Sequence, residues 1–137
     1  MAVAYVGQAI AVAGANTTIS FTYTSGSGSD RLLIAGGKAP SESISSVSYA
    51  GAALTSGATA VARAGIFYKA GQATGGNTLS FVLSGYDTFL YSVADFTGAD
   101  QTTPVGTGVT ASGTGTAVST GSVTVPTDGM SWGFGHH

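Results

Sequence analysis

The chain has 137 residues, 43% of them hydrophobic and 7% charged, with a formal net charge of −2. That size fits one domain with a real core, and so apolar a composition excludes charge-driven disorder. Arg31, Lys38, Arg63 and Lys69 are scattered, so no cationic groove for nucleic acid forms, and without cysteine there are no disulfides or thiolate metal sites.

Residues 1–6 (Met-Ala-Val-Ala-Tyr-Val) lack the basic region and apolar core of a signal peptide, and no apolar run approaches the ~20 residues of a membrane-spanning helix. The expectation is therefore a soluble chain without a membrane partner. Gly, Ser, Thr and Ala fill the rest, and with β-branched and aromatic residues spaced among them they favour strands and tight turns.

In chain order, residues 2–12 predict a first strand with a break at Gly7, and residues 14–16 a turn. Residues 17–24 alternate, with Ile19, Phe21 and Tyr23 on one face and threonines and Ser20 on the other, as in a half-buried antiparallel strand. Residues 25–30 read as a loop. Residues 32–35 (Leu-Leu-Ile-Ala) are apolar on both faces, which predicts a central strand ended by Gly36, Gly37 and Pro40. Residues 44–49 predict a strand with Val47 and Tyr49 inward, turning at Ala50-Gly51 towards Ala53-Leu54.

Residues 59–69 alternate as one strand, with Ala60, Ala62, Ala64, Ile66 and Tyr68 opposite Arg63 and Lys69. A polar turn at 71–77 follows, then a strand at 78–84 with Leu79, Phe81 and Leu83 inward. Gly85-Tyr86-Asp87 leads into an apolar strand at 88–96, stopped by Gly98, Asp100 and Pro104. Beyond it, strand character returns at 116–119 and 122–125. Pro126-Thr127-Asp128-Gly129 forms a turn, and a last strand at 130–134 alternates Met130, Trp132 and Phe134 with Ser131 and Gly133. No stretch carries a helical pattern of useful length. Many short strands separated by frequent turn signals predict an all-β domain, a two-sheet antiparallel β-sandwich over residues 1–137.

Three segments together resemble one family: Val47-Ser48-Tyr49-Ala50-Gly51-Ala52-Ala53-Leu54-Thr55, Ile66-Phe67-Tyr68-Lys69-Ala70 with Gly76-Asn77-Thr78-Leu79, and Phe96-Thr97-Gly98-Ala99-Asp100-Gln101-Thr102-Thr103-Pro104. It is a largely unannotated jelly-roll-like β-sandwich domain of bacteriophage virion proteins and of some bacterial surface proteins. The resemblance runs from Arg31 to Phe134. It implies a non-enzymatic structural part of a virion: a capsid decoration or cement protein, or a small head or tail appendage. Its partners would be other copies of itself, as a homo-oligomer, or other virion proteins such as the major capsid protein. Chains of this type commonly continue with further strands. Their pairing would then come from chain beyond His137 or from a neighbouring subunit, which makes Met130, Trp132 and Phe134 interface candidates.

The candidate chemistry is thin. Asp87 and Asp95 are about 26 Å apart along one strand, too far for paired carboxylates. Asp95 shares parity with Phe89, Tyr91 and Val93, so it is expected to be partly buried and bonded by backbone donors of the turn that follows. Asp100 reads as an Asx-type turn residue, and Asp95, Gly98, Asp100 and Pro104 together as a structural turn. His136 and His137 offer two metal ligands without a third, and no Gly-x-Ser-x-Gly elbow or phosphate-binding glycine loop is present. No catalytic residue, cofactor site or metal site is assigned. A second reading is a carbohydrate- or host-surface-binding module, extracellular or on a cell surface, with glycan partners. Tyr86, placed in a turn, would be its ligand-facing aromatic.

Overall fold

The computed structural model describes residues 2–60, 63–111, 122, 124, 125 and 127–133. They form an all-β fold of seven strands: β1 (Ala4–Ser25), β2 (Leu32–Lys38), β3 (Ile44–Tyr49), β4 (Ala52–Ala53), β5 (Thr55–Ala60), β6 (Ala64–Ala70) and β7 (Gly75–Thr97). Every pairing is antiparallel, and all seven strands belong to one sheet in the order β4-β3-β7-β2-β6-β5, with β1 along the other edge of β7.

The frame is the long ribbon of β1 and β7. The first arm of β7 pairs with β3 through Leu79 to Leu83, and the second pairs with β2 through Leu90 to Phe96. Both partners use the same edge of β7, so the ribbon must bend between them. The bend sits where the β1–β7 register shifts, between Ala13 and Asn16 and again between Asn16 and Thr18. Polar side chains hold it: Asn16 Oδ1 accepts the Thr17 and Thr18 amides, and Asp87 Oδ2 accepts those of Ser41 and Glu42. Glu42 and Ser43 are joined to β7 through Ser84.

Bending brings the two arms face to face over one core. Phe81 of the first arm meets Phe89 of the second at 4.9 Å between ring centroids, and Phe21 stacks on Tyr91 at 4.4 Å. Leu33, Tyr49, Leu79, Phe81, Phe89 and Val93 are fully or almost fully buried there. The sheet is thus curled into a nearly closed, barrel-like shape. Gly37 permits this packing, because a Cβ on it would lie 2.0 Å from the Phe89 ring. Ala50 and Gly51 both have positive φ, 51° and 77°, as the two-residue β3–β4 hairpin requires.

Several expectations change. Gly14, Asn16, Gly85 and Asp87, read as turns, lie within continuous bent strands, because each side of the bend keeps its ladder. β2 runs on through Gly36 and Gly37 to Lys38, which still pair with β6 and β7. Residues 59–69 are not one strand: Ala60 pairs with Ala64, so a reversal between β5 and β6 interrupts them. The core side chain of β6 is Phe67, so Ile66 and Tyr68 lie on the outer face. No strand forms at 130–133, and Ser122, Thr124 and Val125 are not in one either. Phe134, His136, His137 and residues 116–119 lie outside the described residues.

Candidate functional site

Asp95 is buried at the inner end of β7, 2% exposed. Its Oδ1 accepts the Tyr23 hydroxyl at 2.6 Å, and its Oδ2 accepts the Gly26 amide at 2.7 Å and the Ser25 hydroxyl at 3.2 Å. These partners come from the end of β1 and the loop beyond it, about seventy residues away, and not from the turn after β7 as the sequence suggests. Ser25 also accepts Gln72 Nε2, while Arg31 grips the Gln72 carbonyl with Nε and Nη2 at 3.0 and 2.8 Å. Burial pushes the Tyr23 phenol well above its ordinary range, and the hydrogen bond to Asp95 adds to the rise. A carboxylate satisfied by three donors closes the barrel, tying the end of β1 to the end of β7.

The outer face of β2, β6 and the second arm of β7 is apolar, with Leu32, Ile34, Tyr68, Ala94 and Phe96. The chain after β7 folds back over it, and Val105 and Trp132 pack against the same residues. Gly98, with φ 72°, begins that return; the Gly98 and Ala99 amides bond the Ser29 and Asp30 carbonyls. Asp100 Oδ1 accepts the Thr102 and Thr103 amides at 2.7 and 3.0 Å, and these bonds hold its carboxyl below the usual range. Between the sheet and the returning chain lies a cleft of about 750 Å³. Gly98, Asp100, Pro104, Met130 and Trp132 all line it, so five of the residues singled out from the sequence meet in one place.

Tyr86 stands apart from that cleft, 74% exposed at the bend of the ribbon. Close to it in the ladder is a surface that sequence reasoning missed. Gly7, Ala9 and Ala13 of β1 oppose Asp95, Val93 and Phe89 and are half-buried, Ala9 and Ala13 against a core that large rings already fill. Ile10 and Val12 therefore point outward, 61% and 72% exposed, with Tyr5 and Val6 also exposed further along. The signal was present as an alternation of small and large residues, but it runs opposite to the usual rule of large side chains inside.

No family model, no curated protein and no solved structure matches this chain. Its own surfaces must carry the functional reading. Among the described residues, no group of three or more His, Asp or Glu side chains is placed to hold a metal. Along the β1 edge, by contrast, apolar side chains and backbone hydrogen-bonding groups converge. Among the described residues β1 pairs with β7 alone, which leaves its other edge without a strand. Such an edge can take up an added strand.

Proposed function

We propose that this chain is a non-enzymatic structural protein of a bacteriophage virion, working through contacts between subunits as a capsid decoration or cement protein or a small head or tail appendage. In this reading the two arms of the β1–β7 ribbon are the two sheets of a jelly-roll-like sandwich, a view supported by the Phe81–Phe89 contact between them. The observation that carries the proposal is the β1 edge: Tyr5, Val6, Ile10 and Val12 exposed on a strand without a single Lys, Arg, His, Asp or Glu. Contact with other copies or with another virion protein, such as the major capsid protein, would remove that apolar surface from water. Full burial is worth about 1.5–3 kcal/mol for each large side chain.

Co-sedimentation of the purified chain with virions of the phage that encodes it tests this reading. Retention on the particle, lost when Ile10 and Val12 are both replaced by Lys, is the expected result. A chain that stays in the supernatant refutes it. One observation favours a second reading, a carbohydrate- or host-surface-binding module: Tyr86 is the most exposed of the large hydrophobic side chains described. Glycan-array binding abolished by Tyr86→Ala would establish it in place of the first.

A further inference from the structure

We infer that two chains pair through antiparallel β1 strands, related by a two-fold axis at Ala11, so that Ile10 of each packs against Val12 of the other. This rests on the reading of the chain as a subunit-contact protein and names the partner at that surface.

Three observations support it. First, the strand carries no deterrent to self-pairing along its 22 residues: neither charge nor proline. Natural edge strands are ordinarily blunted by one or both. Because an isologous contact sets the same sequence against itself, a charged strand would place like charges close together, and this one cannot. Second, the ladder from Gly7 to Ala13 runs without a register shift, so a regular segment is available between the irregularity near Val6 and the bend at Asn16. Third, the side chains select the register. With Ala11 on the axis, Ile10 faces Val12 twice, and Ala9 faces Ala13 twice on the inner side. Moving the axis by one residue to Ile10 would set Val12 against Gln8 twice and leave Ile10 against its own copy as the one large apolar pair, against two with Ala11 on the axis. Leu90 opposite Val12, with Tyr86 beyond it, extends the surface on the outer face.

The absence of cysteine makes the test direct. Ala11→Cys places two thiols across the axis at the Cα separation a disulfide needs, about 4.4–6.8 Å. Under mild oxidation it should form a covalent dimer on the order of tenfold or more faster than Thr18→Cys, which lies beyond the bend. Sedimentation equilibrium of the unmodified chain should show a concentration-dependent dimer. Val12→Lys should weaken that dimer by about tenfold or more, since each copy would then bury a charge. A chain that is monomeric at all concentrations, and whose Ala11→Cys form links no faster than Thr18→Cys, overturns the inference. Faster linking by Ile10→Cys than by Ala11→Cys overturns the register. If the chain is monomeric but still sediments with virions, the structural role stands and the partner is another protein.

Discussion

Replacing Asp95 with Ala removes the acceptor of three hydrogen bonds, from Tyr23 at 2.6 Å, Gly26 at 2.7 Å and Ser25 at 3.2 Å. The three losses differ in weight. The Tyr23 hydroxyl can turn to the Gly7 carbonyl, 3.1 Å away, and recovers part of its bond. The Gly26 amide is fixed in direction and loses its acceptor. A stranded donor costs about 1–3 kcal/mol, and a net hydrogen bond to a charged group is worth about 1.5–3 kcal/mol. Asp95→Ala should therefore destabilise the fold by about 3–5 kcal/mol, and Asp95→Asn, which keeps one acceptor oxygen, by less. In urea unfolding followed by circular dichroism, a slope near 2 kcal/mol per M turns that loss into a midpoint lower by roughly 2 M. An unchanged or higher midpoint would refute the reasoning, because carboxylates kept for binding or catalysis are held at a cost to stability.

Gly37→Ala should cost about 1–3 kcal/mol by overpacking, since its Cβ would meet a Phe89 ring with no exposed surface to move into; thermal unfolding checks it. The amides of Ser41, Glu42 and Thr88 hold the Asp87 carboxyl below its ordinary range. Below about pH 4 the unfolded chain then binds more protons than the folded one, so this contribution is complete above that range and is lost as pH falls through the lowered value. Asp87→Asn should flatten the acid limb of a stability–pH curve. Tyr23 has the opposite sign: with its phenol raised from 10.0, its contribution is complete below that pH and is lost as pH climbs above it. Absorbance titration should show its phenolate appearing only together with unfolding.

Much of this fold could be read from local pattern, because local pattern is what produced it. Residues 44–49 alternate and end in Ala50-Gly51, and β3 has those bounds. Leu79, Phe81 and Leu83 point inward as their spacing requires. The errors have a shared physical cause. Gly14, Asn16, Gly85 and Asp87 are turn formers, and a lone strand would end at them. Here two strands bend together, each supplying the other's ladder, and the turn residues become the bend. The reversal between β5 and β6 carries no glycine, proline or asparagine to announce it. Gln72, in a run that reads as an exposed turn, is 1% exposed, with Ser25 at the end of β1 bonding its side chain and Arg31, just before β2, its backbone carbonyl. The Asp95 cluster was half legible. Parity along β7 predicted its burial, but Tyr23 and Ser25 are 72 and 70 residues away, a separation no local pattern encodes.

Two apolar surfaces compete for the role of contact site: the β1 edge, and the cleft lined by Met130 and Trp132. Amide hydrogen exchange of the assembled chain against the dilute chain separates them directly. Slowed exchange confined to residues 4–13 is the result this account predicts. Unchanged exchange there, with new protection at 98–109 and 130–133, would place the contact on the cleft and contradict it.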